Sequence, residues 1–411
     1  MKKVIFMTIE EKIHVNKHIK QSIEQVFENH FEISSDSTKR TFCPYRICPI
    51  GAHSDHQHGF VSGLAIDKGI EVMYTRTENG VVEFLSLNFP DKIQFHVNDV
   101  PEKQGDWADY IRGAIKALEI KHKLRYGVYA VIEGNLPIGG LSSSAAVIIA
   151  FLSALCEANE ISLGNQEIID TALWSENNYV GVNVGKLDQS CEVFSKKDHL
   201  LFLDTKDGSF ELIPQNKNMK PYEIAIFFSG VERTLVGSAF NMRVDELKAA
   251  AYALKGYAGL EYGKFEDSRM RDVPREVFEQ YKDKLPENWR KRATHFYTEF
   301  ERVQLGAEAW RNGDIETFGK LSFESGYSSI YNYETGSLEL KTLYEIMLKT
   351  EGIYGGRFSG AGFKGCCMAL INPAFKESIE EKITREYCEV FPHLQNSFSV
   401  HFCKSADGCQ F

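Results

Sequence analysis

The chain has 411 residues, 43% of them hydrophobic and 25% charged, and a net charge of -10. A single core of that length splits, so two domains are expected. The acidic balance excludes the basic face of a nucleic-acid binder, and no apolar run reaches the roughly 18 residues that suggest a membrane span. Nine cysteines, at 43, 48, 156, 191, 366, 367, 388, 403 and 409, are scattered without an N-terminal signal peptide, a pattern that predicts reduced thiols in the cytoplasm.

In chain order, Ile19, Ile23, Val26 and Phe27 recur at helical spacing and predict an amphipathic helix packed on the body. Tyr45 to Ile70 then gathers Arg46, His53, Asp55, His56 and His58. On residue types alone, His53-x-Asp55-His56-x-His58 is a candidate zinc site. A strand sends successive side chains to opposite faces, however, so these four converge only if a loop bends them together. Residues 71 to 126 read as short strands and turns, followed by Trp107, Tyr110 and a helix from Ile111 to Ile120.

The most informative stretch is Gly134-Asn-Leu-Pro-Ile-Gly-Gly-Leu-Ser-Ser-Ser-Ala-Ala146. It follows the alternating strand Tyr126 to Glu133 and enters the apolar helical segment Ala145 to Cys156. A glycine and serine loop at a helix N-terminus collects unpaired backbone N–H groups and the positive end of the helix dipole, which suits a polyphosphate. Gly139 and Gly140 let the backbone approach, and Ser142, Ser143 and Ser144 offer hydroxyls to phosphate oxygens or a magnesium ion. The loop is neither a Walker A nor a dinucleotide fingerprint, and the Gly-x-Ser-x-Gly elbow is absent. Alone, it reads equally as a phosphate cradle or a tight connection.

Further on stand Glu176, then Asp188 within Gly185-Lys-Leu-Asp-Gln189, and a polar connector at Pro214 to Met219 that places a domain boundary near 215. A strand at Ile224 to Phe228 leads into Ser229 to Arg243. Residues 258 to 291 read as a charged helical hairpin on the surface, and Phe296, Phe300, Val303, Ala307 and Trp310 as a core helix stripe. Tyr327, Tyr331 and Tyr333 are candidates for the edge of a cleft. Gly355-Gly-Arg-Phe-Ser-Gly-Ala-Gly-Phe-Lys-Gly365 precedes an apolar strand, Cys366 to Ile371, and Phe398 to Phe402 alternates as a closing strand before a turn at Ala406 to Gly408.

Three segments in order carry a resemblance: Arg46-Ile-Cys-Pro-Ile-Gly-Ala-His-Ser-Asp55, Pro137 to Ala146, and Gly355 to Gly365. Together they resemble the signatures of the GHMP small-molecule kinases, in the galactokinase-like branch, and Pro44 to Gly59 looks most like galacturonokinases. The resemblance implies an α+β, two-domain fold, residues 1–215 and 216–411, with the active site in the cleft between domains. It implies ATP and Mg²⁺ as cofactors and a small sugar or sugar acid as substrate; a monomer without nucleic-acid or membrane partners is expected. It makes Asp188 the base that takes the proton of the anomeric hydroxyl and Arg46 the arginine beside it. Pro137, Gly139, Gly140, Leu141, Ser142, Ser143, Ser144 and Ala145 become the phosphate loop, with Glu176 and either Ser143 or Ser144 holding the metal. His53 and Asp55 look like ligands of sugar hydroxyls.

Departures from the pattern matter. Galactokinases carry glutamate where this chain has Ala52, a tyrosine where it has Phe240, an apolar residue at Lys186 and a glycine at Lys364. The family glutamate meets the C6 hydroxyl of galactose. A C6 carboxylate about 4 Å from it would cost on the order of 4 kcal/mol at an effective dielectric of about 20. Alanine removes that clash, so the expected substrate is D-galacturonate, with galactose or glucuronate as the runner-up. Arg233, Arg243, His56 and Lys68 are candidate partners for the carboxylate, Arg233 first. A non-catalytic sugar sensor is a further class, disfavoured because Arg46, Glu176, the serine loop and Asp188 are all present.

Overall fold

The computed structural model describes residues 21–231 and 237–410. The first sheet has seven strands: β1 (Lys39–Ile47), β2 (Phe60–Thr77), β3 (Val81–Ser86), β4 (Ile93–His96), β5 (Gly127–Gly134), β6 (His199–Asp204) and β7 (Phe210–Pro214). Six of them run in the order β4-β3-β5-β2-β6-β7, and β1 also pairs with β2. Strand β2 is 18 residues long and pairs in turn with β6, β1 and β5. Where short strands are expected after residue 70, one long strand therefore runs on to Thr77. Its continuity comes from having different partners along its length, which no local pattern announces.

The second sheet is antiparallel, in the order β11-β8-β10-β9, from β8 (Glu223–Phe228), β9 (Ile353–Phe358), β10 (Cys366–Ile371) and β11 (Ser399–Cys403). The chain passes from one sheet to the other between Pro214 and Glu223. Strand β8 shows why its apolar run is continuous. Ile224, Ile226 and Phe228 join the core shared with the first sheet, while Ala225 and Phe227 face a second core with Leu340, Leu343 and Tyr387. Strand β10 divides likewise, Met368 and Leu370 against Cys367, Ala369 and Ile371. A strand covered on both faces has no polar side to alternate with.

The helix Ser143–Ala158 is buried along nearly its whole length, in keeping with residues apolar all round. The amphipathic segment near the N-terminus forms the helix Ile23–Phe31, whose Ile23 and Phe27 pack on Met73 and Val131; Ile19 lies outside the described residues. Residues 258–291 do not form a helical hairpin. Among them are three single turns of 3₁₀-helix, the helix Arg275–Tyr281 and the start of the long helix Glu287–Arg311. Met270, Val273 and Phe278 are buried, because they fill the space between Gly237–Tyr257 and Glu287–Arg311. The segment also touches the first domain: Met270 N donates to Gln57 Oε1 at 3.0 Å, and Arg271 bridges to Asp204 at 2.9 Å while covering the rings of Phe60 and Phe300.

One contact tests the packing of the second domain. The helix Ile315–Tyr331 lies so close to β9 that a Cβ on Gly355 would sit 2.0 Å from Gly319 O, and one on Gly319 would sit 2.2 Å from Tyr354 O. Both obstacles are backbone, so neither can rotate away. Gly355→Ala or Gly319→Ala is expected to destabilise the protein by about 1–3 kcal/mol or more, read as a lower urea midpoint at unchanged slope.

Candidate active site

The centre of the cleft is a charged hydrogen-bond hub. Arg46, on β1, is 4% exposed. Its Nε and Nη2 donate to Asp188 Oδ1 and Oδ2, each at 2.8 Å, and Nη1 donates to Gly140 O at 3.0 Å. Burial alone would weaken the guanidinium's hold on its proton, but the Asp188 carboxylate outweighs it and raises the pKa. Asp188 stands in the first turn of the helix Leu187–Phe194 and accepts a further hydrogen bond from Ser142 Oγ at 2.8 Å.

The loop before the helix Ser143–Ala158 is built from residues with positive φ: Gly139 at 133°, Gly140 at 88° and Ser142 at 63°. That curl lets the loop turn sharply into the helix, and only a glycine adopts the first two without strain. Ser143 and Ser144 line a cavity of about 680 Å³ with Pro137, Tyr45, Trp107 and Tyr110. Trp107 stacks on Phe89 at 5.1 Å. Ser142, Ser144 and Gly140 line a second cavity of about 150 Å³ that also holds Arg46, Asp188 and Glu176. Leu141 and Ala145 point into the core instead, and Leu141 contributes its carbonyl to Arg46 N at 3.3 Å. Ser142 commits its hydroxyl to Asp188, so Ser143 and Ser144 are the better placed for a ligand.

Glu176 is 4% exposed and lies on a π-helical turn, Ser175–Val180, that closes the helix begun at Asn165. Such turns often mark functional positions. Gln189 Nε2 donates to Glu176 Oε2, tying it to the Asp188 helix. A buried carboxylate beside serine hydroxyls is a hard-oxygen donor set suited to Mg²⁺, which keeps most of its shell for water and phosphate. Among the described residues no three His, Cys, Asp or Glu side chains gather as a metal cluster, so the zinc reading of the histidine segment has no geometry behind it.

That histidine segment is the loop between β1 and β2. Gly51 N donates to Glu299 Oε1 at 2.6 Å, and the Ala52 carbonyl accepts from His295 Nε2 at 3.0 Å, both from the helix Glu287–Arg311. Ala52, His53 and Asp55 line the small cavity, with Phe240. His53 faces Gly360 O with Nε2 at 3.2 Å, so that nitrogen carries the proton and Nδ1 is left as an acceptor. Nδ1 has no partner among the described residues. Burial, then the neighbouring His295, hold His53 well below the usual histidine range. Asp55 accepts from Leu187 N at 3.4 Å and is pushed up to about 6 by burial and then by the charge of Asp188.

The expected carboxylate partners fare differently. Arg233 lies outside the described residues. Arg243 is engaged by Tyr333 O at 3.2 Å and Glu246 at 3.5 Å. His56 bonds Tyr333 Oη at 3.1 Å, packs on Phe240, and is pushed down to about 3 by burial, so it is neutral near pH 7. Lys68 lines neither cavity. Of the three tyrosines, Tyr333 is buried against His53, with ring centroids 4.4 Å apart, whereas Tyr327 and Tyr331 are exposed and pack against each other with tilted rings. Sequence reasoning did not single out His295, Glu299 or Gln189. They act through the loop or carboxylate they hold; nothing local marks His295 and Glu299 within the charged helix Glu287–Arg311, or Gln189 beside Asp188.

Family comparison agrees with this geometry. The model of the GHMP kinases N terminal domain matches residues 109–196, and that of the GHMP kinases C terminal matches 307–392. The chain is 37% identical to a galacturonokinase of Arabidopsis thaliana over 395 residues, covering 89% of this chain and 92% of the relative. It is 30% identical to a galactokinase of Roseiflexus sp. (strain RS-1), covering 94% and 95%. The crystal structure of Lactococcus lactis galactokinase complexed with galactose superposes with a TM-score of 0.85 at 28% identity, covering 94% of this chain and 98% of that one. The chain belongs to the GHMP kinases. Within them it is an ATP-using sugar 1-kinase of the galactokinase and galacturonokinase type, a phosphotransferase with an alcohol acceptor.

The raised Asp55 yields a pH prediction. Below about 6 it gains a proton in the free protein, so kcat/KM for the sugar should fall as the pH drops through that value. Asp55→Asn, at a lower level, should show no such limb; a limb of the same shape in the variant would assign it elsewhere.

Proposed function

We propose that the protein phosphorylates the anomeric hydroxyl of D-galacturonate with ATP and Mg²⁺, giving D-galacturonate 1-phosphate. The observation that carries the reading is Ala52. It lines the small cavity beside His53 and Asp55 and leaves no carboxylate where the related galactokinases have one. Among described side chains lining that cavity, the acids are Asp55, Glu176 and Asp188, and each has another assignment. The 37% identity to a galacturonokinase supports the same reading. All nine cysteines are free thiols, which supports a reducing compartment such as the cytoplasm.

The chemistry follows from the hub. Asp188 accepts the proton of the anomeric hydroxyl as its oxygen attacks the γ-phosphorus. Arg46 and Ser142 hold both carboxylate oxygens, so the base is positioned before substrate arrives. Arg46 also places positive charge where the transferring group becomes crowded with negative oxygens. Bound to Glu176 and Ser143 or Ser144, Mg²⁺ would supply charge neutralisation of the phosphates. His53 Nδ1 and Asp55 accept from sugar hydroxyls, and the larger cavity, walled by Trp107 and Tyr110, receives the nucleotide base.

Two experiments test this. Release of ADP with galacturonate, galactose and glucuronate compared side by side should favour galacturonate, and Ala52→Glu should lose at least about 10-fold more on the uronate than on galactose, within the cost of a like-charge contact. Preference for galactose in the parent protein would sink the uronate reading. Asp188→Asn should bind ATP near normally while turnover falls by about 100-fold or more, and substantial remaining activity would overturn the base assignment. Its melting temperature is to be measured alongside, because Arg46 loses its charge partner.

A further inference from the structure

Two ring donors on the wall of the larger cavity have no acceptor among the described residues. Tyr45 is 1% exposed and lines that cavity, and its hydroxyl has no hydrogen-bond partner. Trp107 lines it too, and its Nε1 is likewise buried and unpartnered. A buried tyrosine or tryptophan ordinarily finds a partner for its polar atom, because leaving that group unpaired costs stability. Two such donors on one wall point to a ligand that brings the acceptor with it.

The backbone sets the direction of the Tyr45 ring. Cys43, Tyr45 and Ile47 share the face of β1 that packs in the first core, while Arg46 between them turns to Asp188. The ladder with β2 also breaks at this residue: Pro44 faces Gly69 and Arg46 faces Ala65, whereas Ile66 of β2 bridges Ser405 instead. The ring reaches the end of β5, where a Cβ on Gly134 would lie 2.6 Å from Tyr45 Oη and 3.4 Å from Asn88 Oδ1. Asn88 does not serve the hydroxyl, because its amide is committed. Gly134 N donates to Asn88 Oδ1 at 2.7 Å, and Asn88 Nδ2 donates to Gly134 O at 3.0 Å. The next residue, Phe89, stacks on Trp107, so the hydroxyl lies at the aromatic end of the cavity, where the loop that runs to Ser143 begins. Burial first, then Glu192 and Cys43, raise the pKa of the phenol, which therefore stays a donor.

We propose that the Tyr45 hydroxyl donates a hydrogen bond to a ring nitrogen of adenine, which makes Tyr45 a nucleotide-binding residue. The inference rests on the kinase reading and on the larger cavity as the place of the base, and not on which sugar is used. A flat base fits against the stacked Phe89 and Trp107, and the adenine ring offers acceptors at N1, N3 and N7. Ile70 and Val147 add an apolar wall, so the hydroxyl gains its bond from the base and not from a neighbouring side chain. The contact is the same before and during phosphoryl transfer. It therefore bears on affinity and leaves the transfer step unaltered.

The test uses the full chain and Tyr45→Phe, which deletes the hydroxyl alone. Calorimetry with Mg²⁺ compares ADP with its 1-deaza, 3-deaza and 7-deaza analogues, each lacking one ring nitrogen. The variant should bind ADP about 10-fold more weakly. One of the analogues should lose about as much in the parent and nothing further in the variant, since both changes remove the same bond. KM for ATP should rise with kcat unchanged on whichever sugar is turned over. The nucleotide-free variant should melt at the parent's temperature or above it, because the deleted hydroxyl has no partner to lose. Equal ADP affinity in parent and variant would sink the proposal. Losses for every analogue that simply add to that of the variant would sink it too, by moving the contact to ribose or phosphate. A lower melting temperature in the nucleotide-free variant would do the same, by giving the hydroxyl a structural partner. Failure of the parent to bind ADP at all would end the nucleotide reading itself, whereas binding without any Tyr45 effect would leave that reading standing.

Discussion

A buried arginine must be answered by acceptors at every donor, and Arg46 is answered from two directions that the chain would otherwise have no reason to bring together. Asp188 comes from a helix 142 residues further on, and Gly140 from the loop between them. The two-point pairing, with Ser142 closing on the same carboxylate, locks strand, loop and helix into one register. Removing one partner would leave an uncompensated buried charge, at about 3–5 kcal/mol. The penalty holds that geometry fixed, and on the proposed mechanism the same contact positions the base.

The second domain completes the site by close backbone approach. Gly360 and Gly365 lie on Gly140 and Gly139, with no room for a Cβ on Gly140, Gly360 or Gly365 and a tight fit at Gly139. The two loops thereby form one close-packed wall, held from outside the loops themselves. Strand β10, which follows Gly365, is buried on both faces, and β8 beside it bridges the two cores. The long helix Glu287–Arg311 does the equivalent for the loop between β1 and β2, holding Gly51 and Ala52 by their backbone atoms through Glu299 and His295. Glu299 is itself buried among Arg302, Arg357 and Ser325. The loop is thus positioned by a charged network that never enters the cavity.

What is legible in the sequence follows a physical divide. Glycine and serine spacing, apolar runs and the strand before the loop are local, and they place the phosphate loop, the helix after it and strands β8 and β10 close to where they lie. Arg46, Glu176 and Asp188 were reachable because the three motifs carry a family resemblance; composition alone would not have selected them from 47 basic and 57 acidic residues. The misses are long-range. The 18-residue β2 depends on three partners, the segment 258–291 on a gap between two helices, and His295 on a carbonyl 243 residues away. Residue type alone makes Ser142 a phosphate contact, yet its left-handed backbone at the helix start turns its hydroxyl to Asp188.

On the proposed function, the histidines of the loop between β1 and β2 bear on how a sugar acid would be selected. A protonated imidazole is the obvious partner for a carboxylate, but His53 and His56 are both neutral near pH 7, each because burial penalises the charged form. The proton of His53 is held on Nε2 by Gly360 O, so the nitrogen without a described partner is an acceptor, fit for a hydroxyl and unfit for an anion. On the proposed reading, then, discrimination at C6 does not come from an imidazolium grafted onto the loop. It comes from Ala52, which removes the residue that would repel the carboxylate, while neutral neighbours leave recognition of the ring hydroxyls unchanged. Selection by deleting a repulsion needs one substitution and no new buried charge, and so leaves the hub around Arg46 undisturbed.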